Sequence, residues 1–467
     1  MARGAALQDV LFPYGVEFPC GGRGRCRRCR VRVTAGHVSA SGQDHILTAE
    51  EIAAGYRLAC RARAEADATL EIAQWDTVIL ADDSAFAFTP QEGLGVAVDL
   101  GTTTLVAQLL DLATARVLGV GVALNPQVAH GADIMSRVEF ALQGGAARLA
   151  EAVRVEVGRL LAGLGARAPI ARIHVVGNTV MHHLFCGIDV EPLAHYPFEP
   201  VRDGLEIFRA SELGWRMDGD PEVRFLPCLG GFVGSDILAG LLATRMTASE
   251  ELIALLDLGT NGEIAVGNRE GICCASTAAG PAFEGGRISM GMRAATGAIA
   301  EVRVVNGRLE CHTLGGGQPR GLCGSGLVDA VAAGLELGLI APSGRVAKSI
   351  ELAGPVRLTQ ADVRELQLAK AATAAGIEIV LSRRGVKRED LHRVYLAGAF
   401  GNYLNRASAR RIGLIDFPLE GIEPAGNTAL LGAKLSLFSD QPHPSVTHIP
   451  LGADPEFQAR YIASMSF

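Results

Sequence analysis

Apolar residues along this chain fall into two alternating patterns. Short dense runs rich in Val, Leu and Ile end in Gly, Asn or Asp. Val96–Val98, Leu105–Leu110, Val117–Leu124, Ile173–Val176 and Val394–Ala397 are of this kind, and they predict strands closed by tight turns. Asp111–Arg116 supplies the turn between the second and third run, and Asn125-Pro126-Gln127 stops the third. Longer stretches carry apolar residues at helical spacing. Ala146–Leu164 does so through Leu149, Val153, Val157, Leu160 and Leu161, and Ile237–Thr244, Leu327–Leu339 and Pro424–Leu437 are read the same way. The last of these is expected to return to the body from late in the chain. From residue 95 onward the pattern is that of an α/β protein.

One strand-and-turn unit occurs twice. Val96–Thr104 reads VAVDLGTTT and Ala254–Gly262 reads ALLDLGTNG, which places Asp99 and Asp257 158 residues apart. That distance is too long for a solenoid period and implies a duplicated lobe, with two hairpins facing one cleft. Gly101 and Gly259 let the backbone bend tightly and approach a ligand. Thr102, Thr103, Thr104, Thr260, Asn261 and Gly262 then offer N–H groups and hydroxyls to phosphate oxygens. An Asp at the end of each strand suits Mg2+, which prefers oxygen ligands and keeps several waters. Asp99 and Asp257 are thus candidate magnesium and catalytic residues, joined by Glu263 directly after the second copy. One such turn alone is equally an ordinary hairpin, and it is the matched pair that points to a polyphosphate held from both sides.

Other glycine turns add candidates. Gly321–Gly326 contains Gly324 and Ser325, and the strand Val394–Ala397 runs into Gly398-Ala399-Phe400-Gly401, where bare backbone lets a base or ribose pack. In Leu229–Asp236, Ser235 or Asp236 either caps the following helix or reaches the phosphate cleft. His182 and His183 have no second group of ligands nearby and are expected on a helix surface or in the core. Cys273, Cys274, Cys311 and Cys323 are expected as buried free thiols.

Composition narrows the class. The 467 residues are 49% apolar with a mean hydropathy of +0.25, enough for sizeable cores in about two to four domains. A net charge of −7 argues against nucleic acid as the main partner. The start, MARGAALQDV, has no apolar leader, and no uncharged run is long enough to span a bilayer, so a cytoplasmic protein without membrane association is expected. Ten cysteines in that setting point to metal or redox use and not to a disulfide framework.

Cys20, Cys26 and Cys29 lie in one glycine-rich loop, CGGRGRCRRC, and Cys60 follows after a gap of 30 residues. Three clustered cysteines and a distant fourth are the pattern of a 2Fe–2S site, although the first gap here is one residue longer than the plant-type spacing. A zinc site is the alternative, but zinc ligands more often come as two short-spaced pairs. The loop, the strand Arg30–Thr34 and Gly55–Cys60 together resemble plant- and adrenodoxin-type ferredoxins. That resemblance implies a small α+β (β-grasp) domain with these four cysteines as cluster ligands. Nineteen residues precede Cys20, so the hairpin usual before this loop is expected to be trimmed or to lie upstream. Arg23, Arg25, Arg27, Arg28 and Arg30 either dock an acidic redox partner or form a solvated basic loop.

The ordered motifs from Asp99 to Gly401 resemble those of sugar kinases, heat-shock ATPases and actin. VAVDLGTTT matches the first phosphate motif of that superfamily, LLDLGTNGE the second and LAGAFG the adenosine motif. The resemblance implies two ribonuclease H-like lobes closing on Mg-ATP. Expected boundaries are 1–80 for the ferredoxin-type domain, 81–94 for a linker, 95–250 for the first lobe and 251–467 for the second.

The whole chain resembles the reductive activators of corrinoid proteins, also through Asn125–Val138, Gly177–Leu184, Gly231–Asp236, Ser276–Gly285 and Gly321–Asp329. The resemblance implies ATP-driven reduction of a Co(II) corrinoid to Co(I) with an electron from the 2Fe–2S cluster. Implied partners are the corrinoid protein of a methyltransferase or a cobalamin-dependent methionine synthase, and an upstream low-potential donor; a homodimer stays open. Two other readings compete: an activator of another low-potential enzyme, and a redox-sensing small-molecule kinase.

Overall fold

The structure is a computed structural model that describes residues 3–11, 29–40, 47–72, 88–131, 133–259, 261–292, 294, 297–315, 318–439 and 445–467. Its first part is a small α+β unit. Strands β1 (Arg30–Ala35), β3 (Tyr56–Leu58) and β5 (Thr69–Ile72) form an antiparallel sheet in the order β3-β1-β5, while β2 (Val38–Ala40) pairs with β4 (Ala62–Ala64). Thr48 and Glu51 form a reciprocal cap on the helix Ala49–Ala53. Leu7, Leu11, Val31, Leu47, Leu58 and Ala62 make the core. Cys20, Cys26 and four of the five arginines lie outside the described residues. So do residues 81–87 of the expected linker; Phe88 then packs edge-on against Phe438 at 5.1 Å.

The first lobe is a six-stranded sheet in the order β10-β11-β9-β6-β7-β8. These strands are β6 (Leu94–Leu100), β7 (Thr104–Asp111), β8 (Arg116–Leu124), β9 (Ile170–Val176), β10 (Glu206–Arg209) and β11 (Glu222–Phe225). The second lobe repeats the plan. Its sheet runs β21-β20-β12-β13-β14-β22, built from β12 (Ile253–Leu258), β13 (Gly262–Asn268), β14 (Gly271–Thr277), β20 (Arg393–Ala397), β21 (Ile422–Gly426) and β22 (Val446–His448). In each lobe three antiparallel strands lead, and the next strand joins the first in parallel: β9 beside β6, and β20 beside β12. The expected duplication is therefore present in the topology. Between β14 and β20 the second lobe adds β15 (Ala298–Val305), β16 (Arg308–Thr313), β17 (Gly321–Leu322), β18 (Ile350–Ala353) and β19 (Val356–Leu358).

Two helices exchange between the lobes. Ser235–Ala243 follows the first lobe in sequence, yet its Ile237 and Leu241 pack with Leu255 and Ala265 of the second sheet. Thr428–Ser436 follows the second lobe, yet its Leu430 and Ala433 pack with Ala97, Val106 and Leu110 of the first sheet. The helices also pack on each other, and glycines set the distance. A Cβ on Gly432 would stand 1.9 Å from the Ala239 carbonyl oxygen.

Two expected helices begin elsewhere. Pro424–Leu437 is not all helix: Ile422–Gly426 is β21, an edge strand that tolerates Pro424, and the helix starts only after Asn427, whose side chain accepts from the Leu430 N–H at 2.9 Å. The Gly321–Gly326 turn is partly helical, because the helix is Gly324–Glu336. Its glycines serve contact: a Cβ at Gly324 would stand 1.8 Å from the Phe283 carbonyl oxygen, and one at Gly326 would stand 2.1 Å from that of Ile299.

These contacts give a paired test. Gly432→Ala is expected to cost about 1–3 kcal/mol through the forced separation of the crossing helices. Gly163→Ala lies in an exposed helical position with nothing within 4 Å of the added methyl and is expected to stabilise by about 0.4–1 kcal/mol. Urea unfolding of both variants checks the pair, and equal midpoints would contradict the close-packing account.

Candidate functional site

The two repeated turns face each other across the cleft between the lobes. In the first, Gly101 N donates to the Thr104 carbonyl at 3.0 Å, and a Cβ on Gly101 would stand 2.7 Å from that same oxygen. The loop is braced from behind. Arg137, fully buried, donates to the Thr102 carbonyl at 2.6 Å and to Gln127 Oε1 at 3.1 Å. Asn125 Nδ2 donates to the Gly101 carbonyl at 2.9 Å, and Asn178 Nδ2 to Thr102 Oγ1 at 3.0 Å. The stretch Asn125–Val138 is thus the support that fixes the first turn. Burial pushes the Arg137 guanidinium down to about 10.

In the second turn Gly259 N donates to the Asn261 carbonyl at 2.9 Å. Asp257 and Glu263 are direct partners across the β12–β13 ladder, so their side chains share one face of the sheet. The matching position in the first hairpin is Val106, opposite Asp99, so the repeat is not symmetric in its chemistry. Thr260 lies outside the described residues.

Four carboxyl groups converge at the cleft floor: Asp99, Asp236, Asp257 and Glu263. Burial and then the charge of Asp257 push Asp236 up to about 7. Burial pushes Asp99 to about 6, opposed by Asn427, whose Nδ2 donates to Asp99 Oδ2 at 2.9 Å. Burial and the nearby Asp99 push Asp257 to about 6. Glu263 is held well above the usual range by burial and by the two aspartates, with the Ser276 hydroxyl opposing. No lysine or arginine among the described residues offsets these groups. Nor do any three metal-ligating side chains come close enough to hold an ion directly, among the described residues. Converging buried acids that no lysine or arginine among the described residues offsets favour a positively charged ligand.

Beside this floor lies a mostly apolar cavity of about 190 Å³, lined by Thr103 and Thr104 from the first lobe and by Phe283, Gly324, Phe400 and Tyr403 from the second. The Phe283 and Phe400 rings stack at 4.6 Å and 20°. Gly398 and Gly401 belong to the same short helix as Phe400; at Gly398, with φ of 75°, a Cβ would stand 2.5 Å from Asp257 Oδ1. Ser325 also lines the cavity, its hydroxyl donating to the Ala300 carbonyl at 3.0 Å.

In the small domain Cys29 and Cys60 sit with their sulfurs 3.2 Å apart, both buried. That separation is far longer than a disulfide, and two close thiols in an apolar pocket fit ligands that share one cluster. Cys29 immediately precedes β1, and Cys60 lies on the short turn Ala59–Arg61, tied to it by Ala59 N donating to the Cys29 carbonyl at 2.9 Å. Arg30 pairs with Glu51 at 2.7 Å and covers the Tyr56 ring at 4.7 Å. His182 and His183 are fully buried core residues. Cys273, Cys274 and Cys323 are buried free thiols, with Cys311 half-buried. Asp236 and Asn427 are the site residues that sequence reasoning did not commit to. Asp236 lay in a glycine turn that also reads as a cap, and Asn427 lay inside an expected helix.

Fold and site together define a two-lobed, actin-like ATPase carrying a 2Fe–2S domain in the same chain. Residues 251–467 match the family described as the C-terminal domain of RACo, the ASKHA domain; residues 94–249 match the RACo middle region; and residues 3–65 match the 2Fe–2S iron-sulfur cluster binding domain. The chain is 35% identical over 418 residues to the corrinoid activation enzyme RamQ of Eubacterium limosum, covering 80% of this chain and 70% of that protein. It is 29% identical to the Co(II) methylated amine-specific corrinoid protein reductase of Methanosarcina barkeri, covering 73% and 69%. The solved structure of a reductive activator for a corrinoid, iron-sulfur protein superposes with a TM-score of 0.70 at 27% identity, covering 99% of this chain and 95% of that one. The chain belongs to the RACo family of reductive activators of corrinoid proteins. Among the described residues, no helix is long and apolar enough to cross a membrane.

The raised acids set a pH dependence. Each aspartate is harder to ionise in the fold than in the unfolded chain, so stability falls as pH rises from about 4 through about 7. A divalent cation bound at these acids would offset that cost. Mg2+ is therefore expected to raise Tm more above about pH 7 than at about pH 5, and Asp257→Asn to remove most of the difference. An equal Mg2+ effect at both pH values would contradict this arrangement.

Proposed function

We propose that this chain is an ATP-dependent reductive activator that returns the Co(II) state of a corrinoid protein to Co(I). The observation that carries the reading is the presence in one chain of the Cys29–Cys60 sulfur pair and of a cleft where two aspartate hairpins meet beside a base-sized cavity. Cys20, Cys26, Cys29 and Cys60 would hold a 2Fe–2S cluster, which supplies one electron at a time. Phosphates of ATP suit the turns Gly101–Thr104 and Gly259–Gly262, and the base suits the wall of Phe283, Phe400 and the backbone of Gly398–Gly401. Asp99 and Asp257 would hold Mg2+ through its waters. Glu263 and Asp236, both raised by burial and by their acidic neighbours, would orient the attacking water and, in their ionised form, accept its proton. Hydrolysis needs little more than positioning and charge neutralisation.

The energetic need for ATP is clear. A plant-type cluster sits near about −400 mV, and each 59 mV of shortfall against a lower-potential cobalt costs about tenfold in the one-electron equilibrium. ATP-driven lobe movement offsets that shortfall. The substrate is a corrinoid protein of a methyltransferase or methionine synthase, an upstream low-potential donor reloads the cluster, and the free thiols suit a reducing cytoplasm.

Anaerobic mixing of the reduced protein with a Co(II) corrinoid protein tests the proposal. Cobalt absorbance is expected to move to Co(I) with Mg-ATP and not without it. Cys60→Ser is expected to lose the visible cluster absorbance and all Co(I) formation, and Asp257→Asn to keep the cluster while slowing ATP hydrolysis about 10²–10³-fold. A Cys60→Ser variant that still forms Co(I) at the original rate would overturn the proposal.

A further inference from the structure

The six-residue helix Gly398–Tyr403 touches three parts of the molecule. Gly398 lies against Asp257 at the carboxylate floor. Phe400 stacks on Phe283 in the cavity wall. Tyr403 lines the same cavity and also packs against the buried cluster of the small domain, which contains Leu7, Val31, Leu58, Cys29 and Cys60. A second contact ties that domain to the second lobe: Arg63 Nη2 donates to the Gly315 carbonyl at 3.2 Å, just beyond β16. Arg63 does not line the cavity.

We propose that Tyr403 is a positioning residue that couples nucleotide occupancy to docking of the 2Fe–2S domain on the second lobe. The inference rests on the reading of this cavity as the adenosine site. A base packed against Phe400 and Tyr403 restrains a ring that the 2Fe–2S domain also restrains, so each contact lowers the ordering cost of the other. Linkage makes the effect reciprocal. Nucleotide tightens the docked arrangement, and loss of docking weakens nucleotide binding by the same factor. Hydrolysis and nucleotide release then loosen the domain that carries Cys29 and Cys60, freeing it toward a partner. The helix is short and its first residue abuts Asp257, so a change at the phosphate end reaches Tyr403 within six residues.

Hydrogen exchange and nucleotide affinity, both measured on the full chain with its cluster, test the coupling. A non-hydrolysable ATP analogue at saturating concentration is expected to slow amide exchange across residues 56–64 in the natural protein and in Tyr403→Phe, which keeps the ring. In Tyr403→Ala that nucleotide-dependent difference is lost. Calorimetry is expected to show weaker analogue binding for Tyr403→Ala and also for Arg63→Ala, whose side chain is not among those lining the cavity. Retained cluster absorbance marks the variants as folded, and Arg63→Ala carries the test alone if Tyr403→Ala does not fold. Failure of the natural protein to bind the analogue would overturn the adenosine-site reading beneath the inference. Normal binding with unchanged exchange at 56–64, or natural affinity in Arg63→Ala, would overturn the coupling and leave that reading standing.

Discussion

The geometry of the cleft depends on the crossing of two helices, Ser235–Ala243 and Thr428–Ser436. Each belongs to one lobe by sequence and packs on the sheet of the other. Gly432 brings them together so closely that any side chain would enter the Ala239 carbonyl. Both helices begin at the cleft. Asp236 lies in the first turn of one, and Asn427 caps the other while holding Asp99. The four carboxyl groups are therefore not placed by the two hairpins alone. Their spacing is set by the angle at which the lobes meet, so a movement that opens or closes the lobes also rearranges the charge at the floor. That is how a hydrolysis site can be tied to a conformational change: the same crossing carries both.

Repulsion among those acids is the counterpart of this arrangement. Burial pushes Asp99, Asp236, Asp257 and Glu263 toward neutrality, and neighbouring acids add to the shift for all but Asp99, so the cleft floor favours positive charge. In the proposed mechanism a hydrated divalent cation would serve the carboxylates and the nucleotide phosphates would take the backbone N–H groups of the turns. The first turn is rigid before anything binds, because the buried Arg137 and Asn125 hold its carbonyls. Preorganised donors of this kind need no rearrangement when charge develops.

The duplicated plan was legible in the chain because strand period, Asp, Gly and Thr coincide twice in the same register, and both sheets then follow from the same apolar runs. The Cys29 and Cys60 pairing followed from spacing in the same way. What was not legible depends on contacts distant in sequence. Nothing local shows that Gly324 and Gly326 are small to admit the Phe283 and Ile299 carbonyls, so they read as a turn and not as the start of a helix. Pro424 read as a helix start because an edge strand cannot be recognised without its neighbours. Asp236 both bonds the Ile237 N–H at 2.9 Å and faces the cleft, and a cap and a catalytic acid look identical in sequence. Arg30 read as part of a basic surface, whereas Glu51 and the Tyr56 ring hold it against its own domain.

In the proposed mechanism an electron leaves the 2Fe–2S domain for cobalt only when ATP is used at the cleft. Rapid-freeze electron paramagnetic resonance follows both centres in one sample, because the reduced cluster and Co(II) each carry an unpaired spin. On adding Mg-ATP to the reduced protein and a Co(II) corrinoid protein, the two signals are expected to decline together, one for one, and neither is expected to decline with Mg-ADP. Loss of the Co(II) signal without ATP, or with the cluster signal unchanged and no donor present, would contradict it.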